Sequence, residues 1–131
     1  MRIEKKENEK TVMLLPEGNL VYEGITELES FLRRLRDEDR YIIIDFTYIK
    51  YLSAKAISII VNNAKIFQAK RRDLMLVHVN ENIMKLFDVI GVSKIISIFE
   101  NEETVLSSVG PQVGRLEKNL LWSKDCIILR S

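Results

Sequence analysis

His78, Cys126, Asp45 and the carboxylates Glu100, Glu102 and Glu103 are the residues whose types suit acid–base, nucleophilic or metal chemistry. Their surroundings do not support it. His78 is the sole histidine and stands in the apolar run LMLVHV, so it is expected as a half-buried strand histidine with a satisfied hydrogen bond, and no histidine-based triad can be assembled. Cys126 is the only cysteine, which excludes an intramolecular disulfide and a multi-cysteine zinc site. Asp45 closes an apolar run, a place where a carboxylate commonly faces the ligand crevice of an open α/β sheet. Standing alone, it reads as a capping group for the loop that follows. The three glutamates read as the solvated first turn of a helix. No glycine-rich phosphate loop, HExxH, CxxC or EF-hand spacing occurs, so no enzyme, metal or cofactor is expected.

Two basic or aromatic clusters invite other readings. Tyr48 and Tyr51 flank Lys50, but two aromatics in one loop are weak evidence for nucleic acid, and the expected arrangement buries the ring while the hydroxyl reaches water. Lys70, Arg71 and Arg72 form the longest basic run and fall at an expected helix end, where cations offset the negative pole of the helix dipole.

These residues need elements to position them, and hydrophobic periodicity supplies the outline. The first ten residues, MRIEKKENEK, are charged and carry no apolar core. Thr11–Leu15 (TVMLL) reads as a strand that stops in a turn at Pro16, Glu17, Gly18 and Asn19. Ile25, Leu28, Phe31, Leu32 and Leu35 recur at helical spacing. Tyr41–Phe46 (YIIIDF) is the β-branched apolar run of a central strand covered on both faces. Ser53 is an N-cap candidate for a second helix carrying Ile57, Ile60, Val61, Ala64 and Phe67. Leu74–Val79 predicts another strand, Asn80 caps a helix that stops at Gly91, and Ile95–Phe99 predicts a further strand before a final acidic helix from Glu100. Alternating strands and helices with short connections predict an α/β fold, a mixed, mostly parallel sheet packed with about four helices.

Composition agrees with one domain. The chain has 131 residues, 47% hydrophobic and 30% charged, with 2 prolines and 5 glycines, enough apolar residue for one core and too short for two. Lys plus Arg number 20 and Asp plus Glu 19, which gives no electrostatic reason to expect nucleic acid or an anionic membrane. No stretch approaches the roughly 18 apolar residues of a membrane span, and no secretory opening is seen, so a cytoplasmic protein is expected. Beyond Gly110 the pattern breaks. Leu120, Leu121, Trp122, Ile127, Ile128 and Leu129 in the 110–131 extension must be hidden on the domain itself or against a second copy in a homodimer.

From Tyr41 to Val109 the chain resembles a STAS domain of the anti-sigma-factor antagonist type, the match beginning near Thr11. IMKLFDVIGVSKIISIF, Ile83–Phe99, looks like the family's third helix, glycine stop and last strand, and Gly18, Asn19 and Leu20 look like the turn before its first helix. In this family an Asp-Ser-Ser-Gly motif opens the second helix, and its second serine is phosphorylated by a partner kinase. Here those positions read Ser53, Ala54, Lys55 and Ala56, so no phosphate can be written at the family position. Lys55 reads either as drift in a domain that has lost switching or as a fixed contact to an acidic partner or bound anion. Ser53 and Ser58 keep hydroxyls near that site without occupying it.

The resemblance implies a STAS-like domain over 1–109. It implies a non-catalytic module in transcription or stress regulation that binds an anti-sigma factor of the serine-kinase type. The expected partner surface comprises Asn19, Val21, Tyr22, Ser53, Ala54, Lys55, Ala56 and Ser58. The alternative is a scaffolding or nucleotide/anion-binding STAS module in which Lys55 and the helix-start amides hold the anion.

Overall fold

The computed structural model describes residues 2–21, 23–101 and 127–130. Its elements run β1 (Arg2–Glu7), β2 (Thr11–Leu20), α1 (Glu23–Leu35), β3 (Tyr41–Asp45), β4 (Ile49–Leu52), α2 (Ala54–Ala69), β5 (Leu74–Val77), α3 (Glu81–Ile90), a 3-10 turn (Val92–Lys94), β6 (Ser97–Phe99) and β7 (Ile127–Arg130). The strands lie in the order β6-β5-β3-β2-β1-β7, with β4 also paired to β2. β2, β3, β5 and β6 run parallel, and β1 is antiparallel to both β2 and β7. This is the mixed, mostly parallel sheet expected. Three α-helices are seen among the described residues, and the helix expected after Glu100 lies outside them.

Strand alternation assigns the two faces. Val12, Leu14, Ile42, Ile44, Leu74 and Leu76 stand on the face that receives the apolar stripes of the helices: Ile25, Leu28, Leu32 and Leu35 of α1, Ile57, Ile60, Ala64 and Phe67 of α2, Ile83 and Phe87 of α3. The other face carries a separate cluster of Met13, Ile43, Met75 and Val77. Asn80 caps α3 by accepting from the Ile83 amide at 2.8 Å. Gly91 ends that helix at φ 91, a left-handed angle that costs a residue without Cβ nothing.

Several expectations need correction. The charged opening is strand β1, which holds the sheet through its ladder to β2 and one buried side chain, Ile3. Its half-buried charges are neutralised locally, Glu7 lying 2.7 Å from Arg40 and 3.4 Å from Lys5. The turn expected at Pro16–Asn19 is the continuation of β2. Pro16 is tolerated because β2 leaves β3 at Leu14 and meets β4 only at Gly18, so no ladder donor is needed between them. A bulge between Gly18 and Asn19 shifts the register, with Gly18 at φ 111. The last parallel strand is Ser97–Phe99, shortened by the 3-10 turn before it. His78 lies one residue past β5, half-buried and at φ 56, not within the strand.

Candidate functional site

The end of β2 and the start of α2 meet where the parallel strands finish. β4 brings them together: Asn19 pairs with Tyr51 and Leu20 with Leu52, and the Ser53 amide then donates to the Leu20 carbonyl at 3.2 Å. Ser53 has extended backbone (φ −80, ψ 165), and its hydroxyl oxygen accepts from the Ala56 amide at 3.1 Å, the N-cap its residue type predicts. No acidic residue occupies the first turn of α2. Lys55 therefore projects a positive charge from the positive pole of the helix, exposed and with no ion pair or hydrogen bond among the described residues.

Of the residues expected at the partner surface, Asn19, Ala54, Lys55 and Ser58 are exposed, while Val21 and Ser53 are half-buried. Ala56 is 1% exposed and belongs to the core, so its side chain offers a partner no surface. Tyr22 lies outside the described residues.

Val21, Ser53 and Lys55 open onto a groove of about 590 Å³ whose other walls are Ile25, Thr26 and Glu29 of α1, Tyr51 of β4 and Ile59 of α2. Tyr51 corrects the expectation of a buried ring: it and Tyr48 are each 57% exposed. The four-residue β4 buries Ile49 and Leu52 at its ends and leaves Lys50 and Tyr51 in solvent. The α1 contribution was not identified in the sequence. Thr26 and Glu29, three apart, share a helix side there, but nothing local to them says which loop lies opposite. The two helical walls are tied behind the groove, where the Arg36 guanidinium donates from Nε and Nη2 to Asn63 Oδ1 at 3.0 and 2.8 Å and the Asn63 amide donates to the Ile59 carbonyl at 2.8 Å.

The polar chemistry here suits contact. Asp45 is buried and accepts from the backbone amide of Thr47 at 2.8 Å and from the Thr47 hydroxyl, which turns the chain from β3 toward β4. Glu29 in the groove pairs with Arg33 at 3.3 Å. Among the described residues there is no cluster of His, Cys, Asp and Glu able to hold a metal ion, and no helix long and apolar enough to cross a membrane.

Among the described residues a mainly parallel sheet carries three α-helices on one face, and an open apolar groove lies at the start of the second of them. The family model of the STAS domain matches residues 2–105, and the chain belongs to that family. Its fold is similar to that of the unphosphorylated anti-sigma factor antagonist SpoIIAA (TM-score 0.64, 12% identity, 80% of this chain and 94% of that one covered). It is similar also to TM1081 of Thermotoga maritima, described as a candidate anti-sigma factor antagonist (0.70, 17%, 80% and 92%). The STAS domain of a SulP transporter from Vibrio cholerae gives 0.63 at 13% identity, with 82% and 85% covered. At these identities the likeness is one of fold. No curated protein sequence matches the chain significantly.

Proposed function

We propose that this protein is a non-catalytic STAS module of the anti-sigma-factor antagonist type, acting in the cytoplasm. It binds an anti-sigma factor of the serine-kinase type in the groove between α1 and α2 and on the first turn of α2. Lys55 carries the reading. It stands on the rim of an apolar groove, at the position that the resemblance assigns to the family's phosphoserine, with a cation that no described residue pairs in place of a hydroxyl. A kinase docked there finds nothing to phosphorylate at that position, and its own acidic side chains meet a fixed positive charge. Binding is then constitutive, and regulation lies in how much of the protein is present.

The groove favours a protein over a small anion. Val21, Ile25, Ile59 and the exposed Tyr51 ring offer apolar contact, whereas an anion would find Lys55 as the sole cation among the described lining residues and would face the Glu29 carboxylate. The test is titration of the purified chain with purified serine-kinase anti-sigma factors in the presence of ATP. Wild type binds and takes up no phosphate, Tyr51→Ala weakens binding by about tenfold or more, and Lys55→Ser is phosphorylated and released. Failure of every such kinase to bind, or equal binding by Tyr51→Ala, overturns the reading. A thermal shift with nucleotide or phosphate that Lys55→Ala abolishes would establish the anion-binding alternative.

A further inference from the structure

We propose that the exposed apolar side of α3 is a second docking surface, one that takes an acidic amphipathic helix of a partner protein. Ile83 and Phe87 of α3 are buried, but Leu86 is 39% exposed, Val89 86% and Ile90 53%. Val89 and Ile90 stand three and four residues after Leu86, so the three share one side of the helix. Ile95, 36% exposed, adds a fourth large apolar side chain just past the helix end. Single exposed apolar residues are ordinary, whereas several grouped on one side of one helix mark a surface that meets another molecule.

Helix formation does not account for these residues. Val89 and Ile90 are β-branched, so the helix restricts their side chains, and burial does not offset that loss. They occupy the last turn, where a cation would suit the helix dipole and none stands. The backbone beneath them is already tied. Asn80 caps one end of α3 and Gly91 closes the other. The Ile95 amide donates to the Val92 carbonyl at 2.9 Å, and the Ile95 carbonyl accepts from Gln68 Nε2 of α2 at 2.8 Å. A partner therefore meets side chains set on formed structure, which lowers the ordering cost of binding.

Charge selects the occupant. Lys85 lies four residues before Val89 and so on the same side, while Asp88 is neither three nor four residues from Leu86, Val89 or Ile90 and stands with Glu81 and Met84 on another side. Lys94 adjoins Ile95 in the chain. Both lysines are exposed and pair with no described residue. Apolar contact flanked by cations is complementary to apolar residues flanked by carboxylates. A second copy would instead set one lysine-flanked side against another. Apolar anchors at i, i+3 and i+4 form the ridge that a facing helix packs on. The inference is independent of the groove between α1 and α2, whose described lining includes no residue of α3.

The full chain, methyl-labelled for NMR, is titrated with a synthetic amphipathic helix carrying leucines on one side and glutamates along its flanks, and with a counterpart carrying lysines in place of the glutamates. The Leu86, Val89, Ile90 and Ile95 signals should shift with the glutamate peptide while the groove signals of Val21 and Ile59 stay in place. Lys85→Glu combined with Lys94→Glu should weaken that binding by about tenfold or more. Val89→Ser, which alters no buried residue, repeats the measurement if the charge variant loses the wild-type amide spectrum. No shift, an equal shift with the lysine peptide, or shifts centred on the groove signals would overturn the proposal. Shifts of the α3 signals on raising the concentration of the protein alone would assign the surface to a second copy, and shifts with phosphatidylglycerol vesicles but not with the peptide would assign it to a membrane; either overturns it too. The groove is read in the same spectra, so failure at α3 leaves the function proposed for the groove as it stands.

Discussion

The Ser53 amide donates to the Leu20 carbonyl at 3.2 Å, and this bond closes the end of β2 onto the first turn of α2. Through it the register Asn19–Tyr51 and Leu20–Leu52 reaches the helix cap and joins the two halves of the candidate surface, more than thirty residues apart in the chain. The cap and the groove therefore share one backbone link, since Ser53 both caps α2 and lines the groove.

Ser53→Ala removes the oxygen that accepts from the Ala56 amide and leaves that donor unmet. A loss of about 1 kcal/mol of unfolding free energy is expected, read as a lower urea midpoint with unchanged slope. Ser53→Asn, which keeps a capping oxygen, should recover most of it.

Lys55→Glu places an anion where the helix dipole favours one and removes a cation it disfavours, in a first turn with no acidic residue. Stability should rise by about 0.3–1 kcal/mol at low salt and by less at high salt. Partner affinity should fall in the same variant. Opposite signs for the two measurements would show that the residue serves contact and not the helix.

Asn63 is 1% exposed and its carbonyl oxygen receives both Arg36 bonds. Asn63→Ala leaves the guanidinium without its acceptor and unties α1 from α2. The expected cost is about 1–3 kcal/mol, measured by denaturant titration, with weaker partner binding because the groove walls lose their tie.

Burial alone would raise the Glu7 carboxyl, but the Arg40 guanidinium, by hydrogen bond and charge, together with Lys5, holds it below the ordinary carboxylate value. A depressed folded value contributes stability that is present above the unfolded value of about 4.3 and is lost as pH falls through the folded one. Wild type should therefore exceed Glu7→Gln in stability at pH 7, and the gap should narrow below about pH 4. A constant gap across an acid titration of the melting temperature would exclude the ion pair as its source.

Much of the fold was legible locally. Helical spacing located α1, α2 and α3, the side chains of Ser53 and Asn80 marked two caps, Gly91 marked a stop, a β-branched run marked β3 and an apolar run marked β5, because each signal is carried by neighbours within a turn or a pleat. Tertiary structure alone decided the rest. β1 is written in charged residues and becomes a strand only because β2 offers it a ladder and Arg40 neutralises Glu7. β4 exists because β2 runs on past Pro16 to pair with it, which pushes Tyr51 into solvent and sets it beside Glu29 and Ile59. Periodicity states which side of an element is apolar. Which sides come to face one another is settled by the packing of elements far apart in sequence, and the groove is a product of that packing.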